Sequence, residues 1–170
     1  MPYPTFTAGQ RLTAALLAAM QPLEAIKTSD QVVTNSVVLV DDTQLALPLV
    51  GGASYRGRLV LYYSAEDTGD LDYAWAVPAG TIGRRGLIGP DPTSGVGVSL
   101  IAAQSRVSGS FATEFTLGGA DAVHRVAIEN ILITPGVSGN LQLRFAQGTA
   151  AAGTNATVLA NSNLTLWRTA

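Results

Sequence analysis

Apolar positions along the chain change their period near residue 32. Before that point Leu12, Leu16 and Met20 recur at i, i+4 and i+8 with Ala15 and Ala19 beside them, which makes one apolar helical stripe. Thr7-Ala8-Gly9-Gln10 fits a capping box, in which Thr7 accepts from the Gln10 amide while the Gln10 side chain reaches back. Pro22 stops the run near Gln21. The pattern predicts a helix of about 13 residues, marginal alone in water, so its stripe must be buried by its own domain or by partners.

From residue 32 the period is two. Val37 to Val40 and Gln44 to Leu47 flank Asp41-Asp42-Thr43 as a hairpin with an acidic turn. Tyr55 to Tyr63 alternates and breaks at Glu66-Asp67-Thr68-Gly69-Asp70; Leu71, Tyr73, Trp75 and Val77 alternate next. Short strands follow at 81–87, 96–104, 110–117, 123–132, 141–145 and 164–168, with Gly/Pro loops at 88–95 and 135–139. About eight to ten strands with regularly spaced turns predict a mainly β chain, a β-sandwich of jelly-roll type. The expected organisation is an N-terminal helix and linker over 1–31 and a β-sandwich over 32–170.

Composition narrows the function. Of 170 residues, 47% are hydrophobic and 13% charged, about half the usual charged share, which fits a surface largely covered by neighbours. Net charge is −2, and Arg84-Arg85 is the one adjacent basic pair, so the clustered cations that hold a phosphate backbone are missing and nucleic acid is not an expected partner. Without Cys and with His124 alone, neither thiolate chemistry nor a structural zinc site is expected. Arg11 before the apolar run 12–20 imitates a secretory leader, but one Arg is a thin basic region and Thr13 interrupts the run. No run approaches the ~20 apolar residues that span a bilayer, so no membrane partner is expected.

The candidate chemistry is sparse. His124 sits in a regular strand pattern, and no Gly-x-Ser-x-Gly elbow surrounds any serine, so no nucleophile is supported and no enzyme is expected. Glu66, Asp67, Asp70 and Asp72 could hold Ca²⁺, but their spacing is not that of an EF-hand loop, and a solvated acidic turn is the plainer reading. Tyr62, Tyr63, Tyr73 and Trp75 lie on two strands joined by that acidic turn and, beside Asp70 and Asp72, form a candidate sugar-binding surface, against core packing of the same aromatics. Arg84-Arg85 reads as a solvated turn, or as a pair for a neighbouring subunit's carboxylates. No cofactor is called for.

The opening Phe6-Thr7-Ala8-Gly9-Gln10-Arg11-Leu12-Thr13-Ala14-Ala15-Leu16-Leu17, followed by a Pro, resembles the start of small virion proteins of actinobacterial tailed phages. Val33 to Ser36 through Asp41-Asp42 to Pro48, Tyr55 to Tyr63, Asp70 to Gly80, Leu141 to Gln147 and Leu164 to Arg168 are similar to strands of the same proteins. The resemblance implies a non-enzymatic subunit of the particle: a capsid decoration or head-fibre protein, or else a minor tail protein. It implies a homotrimer bound to phage capsid or tail proteins, located in the virion and assembled in the host cytoplasm. The helix would then be the anchor, through Phe6, Leu12, Leu16, Leu17 and Met20, with the β domain projecting. The alternative is a carbohydrate-binding module that meets a host surface glycan through Tyr73, Trp75 and the acidic turn.

Overall fold

The computed structural model describes residues 7–18, 20–92, 103–121 and 123–169. Twelve strands make up nearly all of its regular structure: β1 Leu23–Ile26, β2 Gln31–Thr34, β3 Val40–Leu49, β4 Tyr55–Ala65, β5 Leu71–Ala76, β6 Ile82–Pro90, β7 Ala103–Ser108, β8 Phe115–Leu117, β9 Arg125–Thr134, β10 Gly139–Gln147, β11 Asn155–Val158 and β12 Asn163–Arg168. They form two antiparallel sheets. The larger runs β1-β12-β4-β9-β6-β7, with β11 pairing both β2 and β4; the smaller runs β3-β10-β5-β8.

From β3 to β6, and again from β7 to β11, the chain changes sheet at every connection. Pairing partners are therefore distant in sequence: β3 lies against β10, and β12 against β4. Period-two alternation gives each strand one inward face. Leu59, Leu61 and Tyr63 of β4 enter the core from the larger sheet, and Leu71, Tyr73 and Trp75 of β5 with Leu141, Leu143 and Phe145 of β10 enter it from the smaller. Both sets belong to one apolar cluster, and each fully buried Leu contributes about 1.5–3 kcal/mol.

Four expectations need correction, and one lies mostly outside the described residues. The predicted helix of about 13 residues is not seen; among the described residues only one helical turn occurs, Ala14–Ala18. Thr7 and Gln10 do bond, Gln10 Oε1 accepting from the Thr7 amide at 3.0 Å, but the Gln10 amide donates to the Thr7 carbonyl, and Gly9 adopts φ +82°. That combination closes a turn rather than opening a helix. The turn at 14–18 is capped instead by Thr13, whose Oγ1 accepts from the Leu16 amide at 3.2 Å.

The sandwich also begins earlier than residue 32. Leu23–Ile26, expected as linker, pairs with β12 from Leu23↔Leu166 to Ile26↔Asn163. The hairpin expected around Asp41-Asp42-Thr43 is a single strand, β3, carrying a bulge: β3 advances from Ala46 to Asp41 while β10 advances only from Gln142 to Arg144. Asp42 fixes the bulge. Its Oδ1 accepts from the amides of Gln44 and Leu45 at 2.9 and 2.8 Å, and its Oδ2 meets Lys27 Nζ at 2.7 Å in a fully buried ion pair.

Arg84-Arg85 is not a turn: both residues lie within β6, which overlaps the strand expected at 81–87 and runs on to Pro90. Finally, the strand expected at 96–104 lies mostly outside the described residues; the observed β7 starts at Ala103 and reaches Ser108.

Candidate functional site

Tyr73 and Trp75 are core residues, 0% and 2% exposed, which corrects the candidate sugar-binding surface. Alternation on β5 points both into the sandwich, where they meet a carboxylate from the opposite sheet. Glu129 of β9 accepts from Tyr73 Oη at 2.7 Å, from Trp75 Nε1 at 3.2 Å and from Arg85 Nε at 2.6 Å. Arg85 Nη1 donates to the carbonyls of Phe111 and Thr113, and the guanidinium lies 4.0 Å from the Phe115 ring centroid.

Burial pushes the Tyr73 hydroxyl well above its ordinary pKa, and the neighbouring Glu129 charge adds to the effect. Arg85 and Glu129 are both closed off from solvent. A buried pair held by these hydrogen bonds gives no access to substrate, so the group works as a cross-sheet clasp.

The acidic loop is a folded corner. Asp70, at φ +46°, accepts the Gly119 amide on Oδ1 at 2.7 Å, and Asp121 Oδ1 accepts the Asp67 amide at 2.9 Å. Burial raises the Asp70 pKa against the lowering effect of the Gly119 hydrogen bond. Glu66 is raised mainly by its hydrogen bond with Asp121, which is itself lowered. Asp72 is half-buried on β5. Among the described residues, no three His, Cys, Asp or Glu side chains converge in a way that could hold a metal ion.

Of the anchor set, Phe6 lies outside the described residues. Leu12 and Leu17 are exposed, Leu16 and Met20 half-buried, and none of the four joins the core cluster. Among the described residues no helix is long and apolar enough to cross a membrane.

A feature absent from the sequence reading is the outer face of the larger sheet. Cross-strand register lines up Trp167, Arg56, Leu132 and Arg84 on β12, β4, β9 and β6. One row further along, Val107 of β7 stands beside Gly86, and Ile88 stands beside Ile128 in the row after that. Leu132 is 52% exposed, Val107 71% and Trp167 46%. Arg56, Arg58 and Arg84 make no salt bridge with any described residue. The signal was present in the sequence: the apolar run Leu59 to Tyr63 leaves β4 no fully polar face, as in strands covered on both sides.

No protein-family model and no curated protein matches the chain. Among solved structures it aligns with the infectious bursal disease virus Gt strain at 11% identity and TM-score 0.22, covering 99% of this chain and 46% of that one. With the Gx strain of the same virus the values are 10% identity and TM-score 0.20, over 86% and 40%. The chain spans less than half the length of either. At such distances the functional reading rests on the chain's own residues.

Proposed function

We propose that the chain is a non-enzymatic structural subunit of a phage virion, decorating or stabilising the capsid. In this reading it is a jelly-roll-like sandwich that assembles as a homotrimer and docks through its N-terminal segment. The observation that carries the assembly reading is the outer face of the larger sheet. The core is complete without it, yet Leu132, Ile82, Ile88, Val107 and Trp167 remain exposed on the same face of that sheet. Exposed apolar side chains interleaved with arginines are the composition of a protein interface, where Arg and Trp are enriched and Lys is scarce. The virion location is supported by the resemblance of the opening segment and the strand segments to small phage virion proteins.

The anchor keeps its place in this reading for a physical reason. Leu12 and Leu17 are exposed and outside the core cluster, which leaves them available to a partner. Gold-tagged antibody against the chain, imaged on purified particles, tests the location. Gold over the heads supports decoration, gold confined to the tail end makes the chain a minor tail or fibre protein, and bare particles overturn the virion reading.

A further inference from the structure

Away from the Trp167–Arg84 row, the far end of β4 opens into a cleft lined by Asp30, Tyr62, His124, Leu159, Asn161 and Asn163. Its volume of about 530 Å³ falls within the ~300–1,000 Å³ range of small-molecule sites.

Its wall is held rigidly. Ser162 Oγ accepts from the Tyr62 amide at 2.9 Å and lies 2.8 Å from the Leu159 carbonyl. The Leu159 amide donates to the Tyr62 carbonyl at 2.9 Å, the Asn161 amide to the Lys27 carbonyl at 2.7 Å, and Asp30 Oδ1 accepts from the Ala160 amide at 2.7 Å. Asn161 is thereby fixed at φ +68° on the rim.

While these backbone groups are engaged, the side chains are not. Among the described residues, Tyr62, His124, Asn161 and Asn163 make no side-chain hydrogen bond, and Tyr62 is 40% exposed.

We propose that this cleft binds a neutral pyranose. An exposed tyrosine ring offers an apolar face to the C–H side of a sugar, as aromatic rings with a polar tip do at wet interfaces. Two amides, an imidazole and the second oxygen of Asp30 supply the mixed donors and acceptors that adjacent hydroxyl groups require. Asp30 is the charged group of the lining and is acidic, which selects against sialylated or phosphorylated sugars. The pre-set backbone lowers the ordering cost of binding. The cleft lies within one chain but on the same outer face as the proposed interface, Asn163 standing in one cross-strand row with Val60, Ile128 and Ile88. Sugar binding therefore rests on assembly leaving the Tyr62 end open, and binding by the Leu132→Asp variant separates the two.

Saturation-transfer NMR on the full chain tests it, with the methyl glycosides of glucose, galactose, mannose and N-acetylglucosamine and with a sialoside as control. Transfer to at least one neutral glycoside and none to the sialoside is expected. Tyr62→Ala should weaken binding about tenfold or more. Asn161→Gly deletes one amide while suiting the left-handed backbone, so it should weaken binding with the fold intact. Trp167→Ala, in the other part of the sheet, should leave binding unchanged. No transfer to any neutral glycoside, or equal transfer with Asn161→Gly and Tyr62→Ala, overturns the proposal.

Discussion

Arg85 and Glu129 lie on neighbouring strands of the larger sheet but not opposite one another: Arg85 stands beside Ile131 and Glu129 beside Leu87. The guanidinium therefore crosses diagonally to put Nε 2.6 Å from Oε1. From there the pair reaches the smaller sheet through Tyr73, Trp75 and the ring of Phe115. One ion pair thus ties the two layers together through the core.

Glu129→Gln keeps an acceptor for Tyr73 and Trp75 but leaves the Arg85 charge buried and unpaired. The expected loss is about 3–5 kcal/mol in denaturant unfolding. Arg85→Met alone should cost a similar amount. The double variant should lose less than the two costs added together, because both charges leave the core at once.

Asp70 should make stability fall as pH rises. Its folded pKa is raised, chiefly by burial, so the folded state holds the proton more tightly than the unfolded chain does. The contribution is fully present below the unfolded carboxylate pKa, near 4, and is lost as pH climbs through the raised folded value. Asn at this position keeps an oxygen for the Gly119 amide and tolerates φ +46°. Asp70→Asn should therefore raise the melting temperature at neutral pH, with the gap closing in acid. Melting curves across pH check both parts.

These two sites divide what the sequence could and could not convey. Alternation in 55–63 and 71–77 located β4 and β5 and their inward residues, because burial of one sheet face imposes period two directly on the residue pattern. The fate of Asp42, Arg85 and Glu129 was not legible. A charged residue in a strand pattern reads as outward, and only the cross-sheet partner reverses that. The N-terminal stripe misled for a related reason: Leu12, Leu16 and Met20 have helical spacing, but with Gly9 in a turn, a single helical turn forms. The apolar outer face was half visible in Leu59 to Tyr63. Its continuation through Leu132, Ile88 and Val107 depends on a strand order that pattern alone does not supply.

Gly57 marks where two strands press together. A methyl group there would strike the Thr165 carbonyl oxygen and the Leu166 side chain. Gly57→Ala should cost about 1–3 kcal/mol, seen as a lower denaturant midpoint with an unchanged slope.

The N-terminal segment and the sandwich should separate by mutation. Leu12→Asp with Leu16→Asp touches no core residue, so the melting temperature of the sandwich should stay within about 2 °C of the parent. Attachment to particles should be lost, as co-sedimentation with purified virions would show.

Assembly through the outer sheet face is the central claim, and sedimentation equilibrium of the full chain over a wide concentration range tests it most directly. The mass should be three times the 17.5 kDa of one chain, reverting to a single chain when Leu132 is replaced by Asp. A monomer at every concentration, or a trimer unaffected by Leu132→Asp, would contradict it.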